Sequence, residues 1–122
     1  MKAKKIIKQL SKEYPGKNIV QLPQGKPTEI ICEIEPTADH PERNVAIAVI
    51  DKSEPHYHEH ARETYEVLRG RLVIKLAHRD VTLGEGQKYL IVPGLVHSAE
   101  GNSTMVKVTS EPGWTPEDHI LA

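Results

Sequence analysis

Pro55 to Gly70 reads PHYHEHARETYEVLRG. His56, His58 and His60 fall on alternate residues. Glu63 follows, and Thr64, Tyr65, Val67 and Leu68 then favour a strand that ends at Gly70. In an extended chain, residues i and i+2 point to one face, roughly 6.6–6.8 Å apart along the backbone. Two imidazoles so placed, His56 and His58, can converge on one ion at about 2.0–2.2 Å each. Glu59 to Arg62 is a short turn, after which Glu63 offers an anionic oxygen to the same ion. Tyr65 shares the strand face of Glu63 and is expected to look inward, close to the metal. A second stretch, Gly86 to His97 (GQKYLIVPGLVH), brings one more histidine after a Pro93-Gly94 turn, where proline fixes φ and glycine accepts φ > 0. The two stretches are expected to close on one another and hold a single metal ion through His56, His58, Glu63 and His97. His60 continues the alternate series but leaves only two residues before Glu63, so it is expected beside the site or exposed. Glu66 falls on the opposite strand face from Glu63 and is a weaker ligand candidate.

The flanking sequence is built of short strands. Asn18–Leu22, Thr28–Glu35, Val45–Ile50, Arg71–Leu76, Val81–Leu83, Lys88–Val92 and Thr104–Ser110 read as strands separated by Gly, Pro and polar turns. Val45–Ile50 is continuously apolar, as in a strand buried on both sides. In Thr28–Glu35, Ile30, Cys32 and Ile34 share one face, and Glu29, Ile31, Glu33 and Glu35 the other. Eight or more such strands predict an all-β sandwich or barrel. Before them, residues 3–12 read as a short helix, with Ala3, Ile7, Leu10 and the following Tyr14 at helical spacing and lysines elsewhere, and Pro15-Gly16 ends it. After them, Thr115 suits an N-cap and Pro116 the first helical position, so a short helical tail is expected. Trp114 is expected to pack this tail on the barrel. His40, His78 and His119 are expected to be exposed.

Composition sets the bounds. The 122 residues show no repeat and are read as one domain: 1–16 helix and turn, 17–110 barrel, 111–122 tail. Sixteen basic and 17 acidic residues give a net charge of −1, which supplies no general attraction to nucleic acid or an acidic membrane. A single cysteine, Cys32, excludes an internal disulfide and suits a reducing compartment. No apolar run approaches the roughly 20 residues of a membrane span, and the basic N-terminus lacks a secretory apolar region. The expected location is the cytoplasm.

The two motifs resemble those of the cupin superfamily. His56, His58, Glu63 and Gly70 match its first motif, with four residues between His58 and Glu63. Gly86, Pro93, Gly94 and His97 match its second. The proline and glycine are adjacent here, where the pattern often has a residue between them. Glu100-Gly101-Asn102 occupies the region where an asparagine frequently follows the histidine. The resemblance covers about the middle 40 residues by this reading. It implies a small jelly-roll β-barrel, a three-His one-Glu metal site and a homodimer. Imidazole and carboxylate donors suit Mn(II), Fe(II), Ni(II) or Zn(II), and four ligands on an ion of higher coordination leave open positions, which favours Mn(II) or Fe(II). Similarity to single-domain cupin dioxygenases implies oxidation of a small oxygen-rich molecule, with Glu63 as ligand and proton acceptor and Tyr65 orienting substrate or donating a proton. Two other cupin activities stand as alternatives: isomerisation of a sugar or sugar phosphate, and non-catalytic binding of a small molecule.

Overall fold

The computed structural model describes all of residues 1–122 and is mostly β. One helix, α1 (Ala3–Glu13), precedes ten strands: β1 (Asn18–Leu22), β2 (Glu29–Glu35), β3 (Asn44–Lys52), β4 (His56–Tyr57), β5 (Arg62–Arg69), β6 (Leu72–Lys75), β7 (Asp80–Leu83), β8 (Lys88–Ile91), β9 (Ser98–Glu111) and β10 (Ile120–Leu121). Eight of the strands form one antiparallel sheet in the order β1-β2-β3-β9-β5-β8, with β6 on the N-terminal part of β9 and β7 on β6. β4 and β10 form a separate two-stranded sheet. The hydrogen-bonded ladder keeps free edges at β1 and β8, so the jelly roll curls without closing.

β9 organises this sheet because it is long enough to serve three partners. Residues Thr104–Ser110 pair with β3 on one side while Met105–Glu111 pair with β5 on the other, and Ser98–Gly101 pair with β6. The strand bends between these parts, where Ser103 takes a positive φ of 49°. Gly101 is required at the bend: a Cβ there would meet the Thr104 side chain and lie 2.9 Å from the Ile50 carbonyl oxygen. Sequence reading gives Thr104–Ser110 as a strand of its own, and the structure runs it back without interruption to Ser98.

Alternation sorts the side chains into two cores. One face of β2 and β3 (Ile30, Cys32, Ile47, Val49) packs under α1, whose Leu10 is 1% exposed. The other face looks into the barrel, where Ile50, Tyr65, Val67, Leu72, Ile74, Ile91 and Val106 pack together. This explains the unbroken apolar run of β3: both of its faces are covered, one by the helix and one by the barrel interior. It also means that the glutamate-bearing face of β2 is the inner one. Ala46 and Ala48, on the inner face of β3, are small and leave space beside it.

The tail departs from expectation. Thr115 does cap it, its hydroxyl accepting from the Asp118 N–H at 3.3 Å, but the helix is a single 3-10 turn, Pro116–Asp118. The chain then pairs β10 with β4, Leu121 opposite His56. No helix of the structure is long and apolar enough to cross a membrane.

Candidate metal centre

Backbone pairing brings the two motifs together. His56 and His97 are directly opposed and exchange both hydrogen bonds, His56 N–H to the His97 carbonyl at 3.0 Å and the reverse at 2.9 Å. Directly opposed residues of an antiparallel pair project to the same face. The Pro93-Gly94 turn is tied to the first motif by the Gly94 N–H, which donates to the His58 carbonyl at 2.7 Å. Gly94 has φ +83°, the conformation this turn needs. Glu63 and Tyr65 enter from the inner face of β5, 5% exposed each.

The four expected ligands therefore meet. One donor atom from each of His56, His58, Glu63 and His97 lies within 4.8 Å of the other three, and all four residues are buried. Each histidine has its other nitrogen fixed. The Nδ1 atoms lie against the carbonyls of Glu54 (2.7 Å, from His56), Asp118 (2.8 Å, from His58) and Leu95 (2.9 Å, from His97). A carbonyl can only accept, so each Nδ1 carries a hydrogen and each Nε2 is the nitrogen left for the site, where a neutral ring presents its lone pair. This is the arrangement by which proteins orient metal-ligating imidazoles.

The electrostatics also call for a cation at this point. His58 Nε2–H donates to Glu63 Oε1 at 3.0 Å, and His97 Nε2 lies 3.7 Å from the same oxygen. The His97 Nε2 is fully buried without a hydrogen-bond partner. Buried polar atoms are rarely left unpaired, and a coordinated ion would satisfy this one. Burial opposes ionisation of Glu63, but the hydrogen bond from His58 and the nearness of the His58 and His97 rings overcome it and hold the carboxyl down at about 2. Burial likewise opposes protonation of His58, and the Glu63 carboxylate outweighs it and raises that ring. The proton shared by His58 and Glu63 thus occupies the place of a positive charge that a divalent ion would take over. His56 has no such proton: burial pushes it down to about 4, leaving it a neutral donor.

The tail completes the site, which the sequence reading missed. The Asp118 carboxylate accepts from the backbone N–H groups of Glu59 (2.8 Å), His60 (3.1 Å) and Ala61 (2.9 Å). It thereby fixes the turn between His58 and Glu63, and those three donors keep it ionised below the usual carboxylate range in spite of its burial. Its own carbonyl is the anchor of His58. His119, expected to be exposed, instead stacks on His56 with centroids 4.2 Å apart and planes at 14°. Trp114 Nε1–H donates to His119 Nδ1 at 3.2 Å, which puts the ring hydrogen on Nε2. Burial lowers the pKa of His119 and keeps it neutral. Glu117-Asp118-His119 reads in the sequence as an ordinary polar tail, and only the long-range pairing of β10 with β4 gives it this place. His60 behaves as expected: its side chain is 76% exposed and only its backbone serves the turn.

One side of the site opens on a cavity of about 500 Å³. His56, Glu63, Tyr65 and His119 line it together with Trp114 and Pro116 of the tail, residues of β1–β3 and the loop after β2, and Val108 and Ser110 of β9. Trp114 therefore forms part of the cavity wall as well as packing the tail. Tyr65 keeps its proton, since burial and then the charges of Glu63 and Glu29 raise it well above the ordinary phenol. Glu29, on the β2 wall, is pushed up to about 7, by burial first and by the charge of Glu63 second.

A family model for the cupin domain matches residues 44–110, from β3 almost to the end of β9. The chain belongs to the cupin domain family. No curated protein matches the sequence significantly. Among solved structures, a Streptomyces PAC13 variant with uridine superposes with a TM-score of 0.76 at 15% identity, covering 89% of this chain and 87% of that one. Pac13 is a nucleoside dehydratase. KdgF from Halomonas sp. gives a TM-score of 0.67 at 17% identity over 80% of this chain and 89% of its own. A Bacillus subtilis oxalate decarboxylase variant gives 0.72 at 14% identity, covering 88% of this chain but 31% of that longer one. At these identities the likeness is one of fold. The matched segment begins at β3, and α1, β1, β2 and the tail lie outside it.

Proposed function

We propose that this cupin is a mononuclear metal-dependent enzyme that moves a proton on a small, oxygen-rich molecule without an anionic group, as an isomerase or lyase of the sugar or nucleoside type. The observation that carries the reading is the pairing, in one cavity, of a four-donor His/Glu site with a second carboxyl, Glu29, that titrates near neutrality. A divalent ion held by His56, His58, Glu63 and His97 would supply Lewis-acid polarisation of substrate oxygens. The chain supplies the rest. Glu29 accepts a proton from the part of the substrate that reaches it in the cavity and returns it, a role suited to a group whose pKa lies near the working pH. Tyr65 remains protonated and donates a hydrogen bond to the oxygen on which charge develops. Trp114 and His119 close the wall and limit water. The cavity is lined by no Lys or Arg, which weighs against a phosphorylated sugar. Arg71 is exposed, and Lys75 pairs with Asp80 and Glu100 on the outside. PAC13 in complex with uridine, an uncharged molecule, is in keeping with this reading.

A second reading, dioxygenase-type oxidation, is favoured by the donor set itself, which suits redox-active Fe(II) or Mn(II) as well as Ni(II) or Zn(II). In that case Glu63 and Tyr65 are the residues next to the reacting atoms. One experiment separates the readings. Protein loaded in turn with each of the four metals is incubated with uncharged sugars, nucleosides and diketones in deuterated water, with and without dioxygen. Deuterium entering carbon under anaerobic conditions supports proton transfer. Oxygen uptake without anaerobic exchange supports oxidation. Full metal occupancy without either would leave binding as the function.

A further inference from the structure

The cavity has a charge pattern that the four-donor site does not account for. Its β2 wall presents Glu29, Ile31 and Glu33, because alternate residues of that strand share the inner face. Glu33 is held by Asn18, whose Nδ2 donates to it at 3.3 Å. Glu29 is different. It is half-buried, its carboxyl responds to burial and to the charge of Glu63, and no hydrogen-bond donor or cation of the chain contributes to its state. A half-buried carboxyl without a partner is a costly arrangement unless something else supplies the donor. The groups facing it across the cavity are Glu63 and Tyr65 from β5, His56 from β4 and His119 from the tail, none of them a fixed cation. The neighbouring wall is apolar, formed by Val20, Leu22 and Trp114.

We propose that Glu29 selects the substrate by charge: the cavity takes a molecule with an apolar body that presents a hydroxyl or amino group to Glu29, and it rejects a carboxylate or phosphate at that end. This rests on the metal reading only for the opposite end of the molecule, where two oxygens would reach the four-donor site. An anion beside Glu29 would meet a second carboxylate with no Lys or Arg to balance it. A hydroxyl or ammonium would give the carboxylate the donor it lacks, and an ammonium would also draw it into its charged form.

Three catechols of similar size and chelating power test this: dopamine (cationic), ethylcatechol (neutral) and dihydroxyphenylacetate (anionic). Each is titrated calorimetrically at neutral pH into zinc-loaded protein whose metal content has been measured. The expected order is dopamine, then ethylcatechol, with dihydroxyphenylacetate at least tenfold weaker than either. Glu29→Gln should remove the advantage of dopamine over ethylcatechol while zinc content stays the same. The wild-type order stands as a test by itself, whether or not the variant folds. Equal affinities, tightest binding of the anion, or no binding of any of the three would overturn the proposal, as would an unchanged preference in Glu29→Gln. If the protein does not hold zinc, the metal reading fails, yet the same order, more weakly expressed, is expected in the metal-free protein. The two failures are thereby distinguished.

Discussion

Replacing Glu29 by glutamine should make the metal-free protein more stable at alkaline pH and leave it nearly unchanged in acid. The carboxyl rises from an ordinary 4.5 to about 7 in the folded chain, chiefly through burial and secondly through Glu63. At about 1.4 kcal/mol for each pH unit of displacement, the charged form is disfavoured by roughly 3 kcal/mol. The cavity is partly open to water, which screens the group, so about 1–2 kcal/mol is the working figure. The folded protein binds this proton more tightly than the unfolded chain does. Its contribution is therefore fully present below an ordinary carboxyl pKa of 4.5 and is lost as the pH rises through about 7. Glutamine keeps the shape and has no charge to bury. Urea unfolding of both proteins after chelator treatment, at about pH 4 and pH 8.5, isolates the term, because contributions shared by wild type and variant cancel in the difference. The variant should gain about 1–2 kcal/mol on wild type between the two conditions. Parallel pH dependences would refute the reasoning, and would show that Glu29 is solvated well enough to ionise as an ordinary carboxyl.

Other outcomes follow from the same geometry. Purified without chelators, the wild type should carry close to one divalent ion per chain by elemental analysis, and His58→Ala or His97→Ala should lose most of it; normal content in both variants would remove the ligand assignment. Asp118→Ala should cost about 2–3 kcal/mol in urea unfolding, since three backbone donors lose a charged acceptor, and should weaken metal retention by loosening the turn before Glu63. The wild-type contribution of Asp118 should be present above its ordinary pKa of 3.8 and fade as acid protonates it. Gly101→Ala should cost more than about 2 kcal/mol because the added Cβ has no room beside Ile50 and Thr104, whereas Gly25→Ala, with open space and only an unfavourable φ, should cost about 1.

The clustering of His56, His58, Glu63 and His97 was legible in the sequence because it is written in local rules. Alternate histidines on a strand, a carboxylate after a short turn and a histidine after Pro-Gly fix both residue type and facing, and backbone pairing of His56 with His97 needs nothing further to bring them together. The helix and most strands were legible for the same reason. What was not legible depends on contacts between distant parts of the chain. Whether the glutamate face of β2 looks outward or inward cannot be read from β2, since each face carries isoleucine; it is settled by α1, which covers Ile30 and Cys32 and so turns Glu29 into the cavity. A polar tail likewise gives no local sign that its aspartate will hold a turn nearly sixty residues earlier. The consequence is a division of labour within the chain. The residues that could hold a metal lie in the segment matched by the cupin family, whereas Glu29, Trp114, Asp118 and His119, which set the charge of the cavity, its wall and the support of His58, lie outside residues 44–110. On the proposed reading, metal binding should therefore depend on the matched segment, while the choice of substrate should answer to the segments outside it. Substitutions at Glu29 and Trp114 should accordingly change which molecules bind without changing metal content, and substitutions at His56, His58, Glu63 or His97 should do the reverse.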